Sequence, residues 1–219
     1  MLKYLFRKST LCADNDKPPL LILLHGVGSN EADLFSFASL LDERFFVVSV
    51  RAPFALGYGG FGWFELEFSP QGLSANLVQA EESRQKLLEF IDEITAKYDL
   101  DAQRVFLTGF SQGAIMSYAL MLTEPEKFAG VVAMSGRLVS KTLPHQADPE
   151  RLRDFPILVT HGTLDQVLPI ENGRAAKTFL ERLPVKLEYR EYEMAHQVSE
   201  ESLQDVADWL KEKIEILKG

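Results

Sequence analysis

Short apolar runs alternate along this chain with longer segments in which apolar residues recur every three or four positions. The runs predict β-strands, which we place at Lys3–Arg7, Leu20–Leu24, Phe45–Val50, Arg104–Thr108, Phe128–Met134, Pro156–Thr160 and Lys186–Glu191. The middle runs are almost entirely apolar, as is typical of parallel strands covered on both faces. The alternation therefore indicates an α/β protein with a mostly parallel central sheet of about seven strands.

The periodic segments predict helices that lie on both faces of this sheet. A long helix is expected over Ser74–Tyr98, with an apolar stripe of Leu77, Ala80, Leu87, Ile91, Ile94 and Tyr98. A second is expected over Ser199–Leu217, with a stripe of Leu203, Val206, Leu210, Ile214 and Leu217. Shorter helices are predicted at Glu31–Leu41, Gln112–Leu122 and Ile170–Leu183. Since no repeat or Gly/Ser-rich linker interrupts the pattern, we expect residues 1–219 to form a single domain.

Composition and charge disfavour several classes of protein. The chain has 219 residues, 46% of them apolar, which is enough for a well-filled core. Its formal charge of −9 disfavours nucleic acid as a partner, because such binding requires a basic surface. The single cysteine, Cys12, has no partner for a disulfide or a Cys-x-x-Cys zinc site. No apolar run is long enough to cross a bilayer or to form a signal peptide, so we expect a cytoplasmic protein without stable membrane insertion.

The segment around Ser111 carries the strongest chemical signal. A predicted strand leads into Gly109-Phe110-Ser111-Gln112-Gly113, and a predicted helix follows directly. In this strand–turn–helix context, G-x-S-x-G places a nucleophilic serine on a sharp turn at the edge of the sheet. Gly109 and Gly113 would permit close approach of neighbouring backbone. The alternative is a Gly-bounded turn whose serine only caps the helix.

The order of residues along the chain indicates which groups would act with Ser111. In this architecture an acid and then a histidine follow the serine. His196 follows both a candidate acid and a further strand, whereas His25, His145 and His161 do not. Asp165 comes just after a buried strand, where catalytic groups of α/β sheets gather. The alternatives are that His196 is an ordinary surface-loop histidine and that Asp165 only caps a helix. Other carboxylates, Asp154, Glu171 and Glu193, lack the position after a strand.

Two backbone N–H groups are expected to stabilise an oxyanion near Ser111. One belongs to Gln112, the residue after the serine, and the other to Val27, in the Gly-containing loop after the strand Leu20–Leu24. In the same loop we interpret His25 as structural rather than catalytic, because it precedes Ser111.

Aromatic residues cluster between the third and fourth predicted strands: Phe54, Tyr58, Phe61, Trp63, Phe64 and Phe68. We interpret them as a loop that forms an apolar wall for an acyl chain, with core packing as the alternative. Phe61, Trp63, Phe64 and Leu168 are the substrate-binding candidates. The G-x-G-x-x-G at Gly57–Gly62 does not open a helix after a strand, so it is not a dinucleotide site. No phosphate-binding or zinc-protease motif occurs, and no metal or cofactor is predicted.

The segments LLHGVGSNEADL, GWFE, GFSQG, HGTLDQVLP and AHQ occur in this order along nearly the whole chain. Together they resemble the phospholipase/carboxylesterase family, which includes acyl-protein thioesterases. The resemblance implies a compact α/β-hydrolase fold, with Ser111, Asp165 and His196 as a catalytic triad and Val27 and Gln112 as oxyanion donors. It also implies hydrolysis of carboxylic esters or thioesters without a metal. One departure is Glu65, where the family has Asp after Trp-Phe.

The short polar interval between Gly136 and Phe155 predicts no large lid, and hence a shallow site for short- to medium-chain acyl groups. The expected partner is a small acyl ester or thioester, lysophospholipids included. The alternatives are a catalytically silent acyl- or lipid-binding protein and another hydrolase, of the dienelactone or peptidase type. The oligomeric state stays open, with a homodimer as one option.

Overall fold

The structure of this protein is a computed structural model, which describes residues 1–11, 16–57, 59–69, 72–140, 143 and 145–216. Cys12, Tyr58 and Leu217 therefore lie outside the described residues. The strands are β1 (Tyr4–Arg7), β2 (Pro19–Leu24), β3 (Phe46–Val50), β4 (Phe54–Ala55), β5 (Phe61–Gly62), β6 (Leu66–Ser69), β7 (Gly72–Ala75), β8 (Asp101–Phe110), β9 (Gly130–Met134), β10 (Pro156–Gly162) and β11 (Lys186–Tyr192).

Seven of these strands form the central sheet, in the order β1-β3-β2-β8-β9-β10-β11. Strand β1 pairs antiparallel with β3, and every other pair of neighbours in the sheet is parallel. The mostly parallel sheet of about seven strands that the sequence predicts is confirmed. Since the strands run in one direction, the loops after β2, β8, β9 and β10 emerge at the same edge.

Five α-helices are present in the described part of the chain. They are α1 (Ala32–Phe35), α2 (Leu77–Lys97), α3 (Gln112–Thr123), α4 (Glu171–Leu180) and α5 (Glu200–Ile216). Buried residues of α2, α3 and α4 belong to one core, and buried residues of α1 and α5 belong to a second core. The helices therefore cover both faces of the sheet, as predicted.

The alternation of side chains along β2 explains why its sequence is apolar throughout. Leu20, Ile22 and Leu24 pack in the core beneath α2 and α3. Leu21 and Leu23 point the other way, into the core beneath α1 and α5. Every residue of the strand is buried, so any polar side chain here would have to be desolvated.

Several predicted boundaries shift for identifiable local reasons. Helix α2 begins at Leu77 rather than at residue 74, because the Asn76 side chain accepts a hydrogen bond from the Gln79 N–H and caps the helix. The predicted helix over residues 31–41 is wrong as a single element. It ends at Phe35, where the Ser36 hydroxyl bonds the Asp33 carbonyl, and a separate turn of 3₁₀ helix follows at Ala38–Leu40.

The aromatic segment between β3 and α2 is not the plain loop that the sequence predicts. It contains two antiparallel pairs, β4–β5 and β6–β7, which lie outside the central sheet. No large lid domain is evident in the part of the chain that the structure describes. Within the described ranges, none of the helices combines the length and apolar character needed to span a bilayer.

Candidate active site

Ser111 lies at the junction between β8 and α3, in a backbone conformation that is rare for a residue with a side chain. Its φ is 54° and its ψ is −114°. The Ser111 N–H donates to the Met134 carbonyl of the neighbouring strand β9 at 2.9 Å, and this bond fixes the turn. Strained backbone of this kind persists only where surrounding structure holds it, and it is typical of functional sites.

The two glycines that flank this turn are required by the closeness of the surrounding backbone. A Cβ at Gly109 would lie 2.3 Å from the Gly113 carbonyl oxygen, and a Cβ at Gly113 would lie 1.9 Å from the Leu24 carbonyl oxygen. Both distances are far below van der Waals contact, and both involve backbone that cannot rotate away. Helix α3 therefore begins in direct contact with the end of β2.

The structure brings together the three side chains that the sequence places far apart. The Ser111 hydroxyl lies 2.9 Å from His196 Nε2, and His196 Nδ1 lies 2.7 Å from Asp165 Oδ2. Since an ionised carboxylate only accepts hydrogen bonds, Nδ1 carries the proton and Nε2 accepts from the serine. The His196 ring also lies against Phe110, with the two ring centroids 4.9 Å apart.

Asp165 is held by its own loop as well as by His196. Its other oxygen, Oδ1, accepts from the Val167 and Leu168 N–H groups at 2.9 and 2.8 Å. The carboxylate is fully buried. The alternative acid Asp154 instead pairs with Lys186 at 3.3 Å and is largely exposed. Among the described residues, Asp165 is the carboxylate that bonds His196.

A second histidine, His161, lies beneath this loop. It is fully buried in β10, and its Nε2 donates to the Leu168 carbonyl at 2.7 Å. The same nitrogen is 3.5 Å from Asp165 Oδ2. His161 thus joins the strand to both ends of the Asp165 loop, a supporting role that the sequence interpretation did not assign to it.

The loop after β2 brings the Val27 N–H to the same edge of the sheet. Gly28 has a φ of +83°, and its N–H donates to the Phe61 carbonyl at 2.9 Å. Within the described part of the chain, neither the Val27 N–H nor the Gln112 N–H donates a hydrogen bond. Val27, Ser111 and Gln112 line one cavity, so two free donors and the serine share one space.

The Gln112 side chain has a positioning role that the sequence did not reveal. Its Oε1 accepts from the Trp63 N–H, and its Nε2 donates to the Phe64 carbonyl, both at 2.7 Å. Trp63 Nε1 in turn donates to the His25 carbonyl at 2.9 Å. These bonds connect the start of α3, the aromatic segment and the loop of Val27 into one network.

A cavity of about 230 Å³ opens beside Ser111. One face of α2 lines it, through Leu77, Ala80, Glu81 and Arg84. One face of α3 lines it as well, through Ile115, Met116, Ala119 and Leu122. The site is therefore deeper than the short interval between Gly136 and Phe155 predicts, because α2 and α3 leave space between them.

The four substrate-binding candidates from the sequence fall into two groups. Phe64 and Leu168 line the cavity. Trp63 does not, because its ring is fully buried in the core and bonded to His25. Phe61 is also outside the cavity lining and lies beneath the Arg51 guanidinium, 4.2 Å from it. The positions of Trp63 and Phe61 thus agree with core packing, the alternative to a wall for an acyl chain.

The cavity residues on α2 and α3 were missed because helical periodicity alone does not distinguish a core face from a cavity face. Leu77 and Ala80 belong to the predicted apolar stripe of α2, and these two residues of the stripe line the cavity.

In the described ranges, no three His, Cys, Asp or Glu side chains lie close enough together to bind a metal ion.

Comparison with known proteins identifies the family of this chain. The sequence model of the phospholipase/carboxylesterase family matches residues 7–214. The chain belongs to this family. It is 29% identical over 212 residues to acyl-protein thioesterase 1 of Candida albicans, covering 89% of this chain and 92% of that protein. It is 28% identical over 208 residues to the probable carboxylesterase SOBER1-like of Arabidopsis thaliana, covering 89% and 79% respectively.

Two solved structures with the same fold are named as esterases. The crystal structure of esterase PE8 is similar with a TM-score of 0.78 and 26% identity, over 96% of this chain and 98% of that one. The Bacillus cereus carboxylesterase is similar in fold with a TM-score of 0.82 and 23% identity, over 97% and 95%. The family and the thioesterase and carboxylesterase relatives agree with the serine esterase or thioesterase expected from the sequence.

His25 fixes the loop of Val27 in this member of the family. Its Nδ1 donates to the Gly26 carbonyl at 2.7 Å, and its Nε2 accepts from the Ala52 N–H at 3.0 Å. Protonation of Nε2 would remove that acceptor. Burial lowers the pKa of His25 below its ordinary value, so the ring stays neutral in the folded protein.

This burial predicts a pH dependence of stability. Below about pH 6.5 the unfolded chain binds a proton more readily than folded His25 does, so the free energy of unfolding falls as the pH falls, by at most about 1.4 kcal/mol per pH unit. The loss measured by urea unfolding between about pH 7.5 and about pH 5.5 should therefore be smaller in His25→Asn than in the unmodified protein. An equal loss in both proteins would contradict this role of His25.

Proposed function

We propose that this protein is a serine hydrolase that cleaves carboxylic esters or thioesters, with Ser111 as nucleophile, His196 as general base and Asp165 as the acid that orients His196. The observation that carries the proposal is the continuous hydrogen-bonded series from the Ser111 hydroxyl through both nitrogens of His196 to Asp165. A silent acyl-binding protein would have no use for this series, in which each group lies within the hydrogen-bond distance that proton transfer requires.

The reaction follows from this geometry in two halves. His196 Nε2 takes the Ser111 proton as the oxygen attacks the acyl carbon, and Asp165 stabilises the charged imidazole. The oxyanion of the tetrahedral intermediate accepts hydrogen bonds from the Val27 and Gln112 N–H groups. His196 then gives its proton to the departing alcohol or thiol, which leaves an acyl-enzyme. Water, activated by His196, attacks that ester and releases the carboxylic acid.

The cavity beside Ser111 suits the acyl part of the substrate. Its walls are mostly apolar, and Ile115, Ala119 and Leu122 mark successive turns of α3 away from the serine. At a rise of 1.5 Å per residue, Ala119 lies about 12 Å along the helix from Ser111. An extended acyl chain of about ten carbons covers that distance, at about 1.25 Å per methylene. We therefore propose short- to medium-chain acyl groups as substrates.

The leaving group is less constrained than the acyl group. Among the relatives, one is named an acyl-protein thioesterase and another a probable carboxylesterase, so both oxygen esters and thioesters belong to the proposed substrate class. Small acyl esters, acyl thioesters and lysophospholipids are the compounds to compare. The cytoplasmic location and the option of a homodimer stay predictions from the sequence.

Replacing the nucleophile tests the proposed reaction. Ser111→Ala removes the attacking oxygen, so kcat for p-nitrophenyl butyrate should fall by about 10⁴- to 10⁶-fold while the fold is kept. Steady-state kinetics with circular dichroism measures both. Ser36→Ala, at an exposed position away from the cavity, should keep the activity of the unmodified protein. Turnover by Ser111→Ala within about tenfold of the unmodified protein would rule out this nucleophile.

Filling the cavity two turns along α3 tests the acyl assignment. Ala119→Leu should lower kcat/KM for p-nitrophenyl decanoate by about tenfold and leave the butyrate nearly unchanged, because only the longer chain reaches this position. The control Ala96→Leu makes the same change on an exposed turn of α2, outside the cavity, and should affect neither ester. Equal losses for both esters would place the acyl chain elsewhere.

A further inference from the structure

Arg137 occupies a position beside the nucleophile that the reaction described above does not use. Two residues, Ser135 and Gly136, separate Arg137 from the end of β9. A Cβ at Gly136 would lie 2.5 Å from the Ala114 Cβ and 3.5 Å from the Ser111 carbonyl oxygen. The backbone that leads into Arg137 therefore lies directly against the turn of Ser111, and Arg137 lines the same cavity as that serine.

Among the residues that the structure describes, none serves as a counterion to Arg137. Three charged residues line the cavity, namely Glu81, Arg84 and Arg137. Arg84 donates two hydrogen bonds to the Glu81 carboxylate, at 2.7 and 2.8 Å, so these two charges offset each other. Arg137 is exposed and has no hydrogen bond or ion pair from its side chain to any residue that the structure describes. The lining thus carries one uncompensated positive charge.

This charge opposes the field of the rest of the molecule. The chain has a formal charge of −9, which repels anionic molecules at long range. A guanidinium offers a planar set of donors that matches carboxylate and phosphate oxygens. Val139, Leu143 and Val167 line the same cavity, so the charge of Arg137 stands out within a mostly apolar lining.

We propose that Arg137 is a specificity-determining residue, which binds a carboxylate or phosphate group of an ester substrate while the acyl carbon lies at Ser111. The inference rests on the hydrolase function proposed above and adds to it a preference for anionic esters. The negative group can belong to the leaving group or to the far end of the acyl group, and the two cases are distinguished by the choice of substrate.

The test compares three phenyl esters that differ only in charge and its place. Phenyl butyrate is neutral, 3-(butyryloxy)benzoate carries a carboxylate on the leaving group, and monophenyl succinate carries one on the acyl group. For Arg137→Gln, kcat/KM of at least one anionic ester should fall about fivefold to tenfold, and that of phenyl butyrate should stay within about twofold. Arg137→Lys should keep part of the preference. Arg182→Gln, a change of equal charge at an exposed arginine outside the cavity, should alter none of the three.

Ionic strength provides a second readout. The preference for anionic over neutral esters in the unmodified protein, relative to that in Arg137→Gln, should shrink between low and physiological ionic strength, because salt screens the Arg137 charge while the field of the remaining residues is common to both proteins. Unchanged ratios in both experiments, or equal losses for all three esters in Arg137→Gln, would overturn the assignment of Arg137. If the unmodified protein hydrolyses none of the esters, the proposed hydrolase itself is wrong, and the role of Arg137 falls with it.

Discussion

The backbone contact between the start of α3 and the end of β2 is the constraint on which the whole site depends. Gly113 lies so close to the Leu24 carbonyl that no side chain fits between them. This contact forces the chain to turn sharply at Ser111, and the bond from its N–H to Met134 holds the left-handed conformation. The serine hydroxyl is thereby presented at the edge of the sheet rather than packed along it. The stability of the surrounding sheet offsets the strain of this one residue.

The remaining groups are positioned relative to this turn by loops from the same edge of the sheet. The loop after β2 supplies the Val27 N–H, the loop after β10 supplies Asp165, and the loop after β11 supplies His196. Each loop has its own anchor: His25 holds the first, and the Val167 and Leu168 N–H groups hold the carboxylate of the second. The Gln112 side chain joins the first loop to the turn of Ser111 through Trp63. Such cross-linking holds the Val27 and Gln112 N–H groups in place, as the proposed electrostatic stabilisation of an oxyanion requires.

The sequence predicted those features that depend on local pattern and on topology. Strand β2 was recognisable because both of its faces are buried, and the strand–turn–helix around Ser111 because glycine is needed at two close contacts. Chain order selected Asp165 and His196, since parallel strands bring the loops after them to one edge. The features that it missed depend on tertiary contacts. The pairs β4–β5 and β6–β7, the burial of Trp63 and the cavity face of α2 follow from packing between distant segments, which periodicity within one segment does not encode.

The central claim is that the serine at residue 111 and two backbone N–H groups face one common point. The most direct measurement is a crystal structure after reaction with an alkyl fluorophosphonate, whose phosphorus mimics the tetrahedral acyl carbon. The account predicts phosphorus bonded to Ser111 Oγ, with the phosphoryl oxygen about 2.7–3.1 Å from both the Val27 and Gln112 nitrogens. Its alkyl chain should lie between α2 and α3. Attachment to another residue, or a phosphoryl oxygen directed away from both nitrogens, would contradict it.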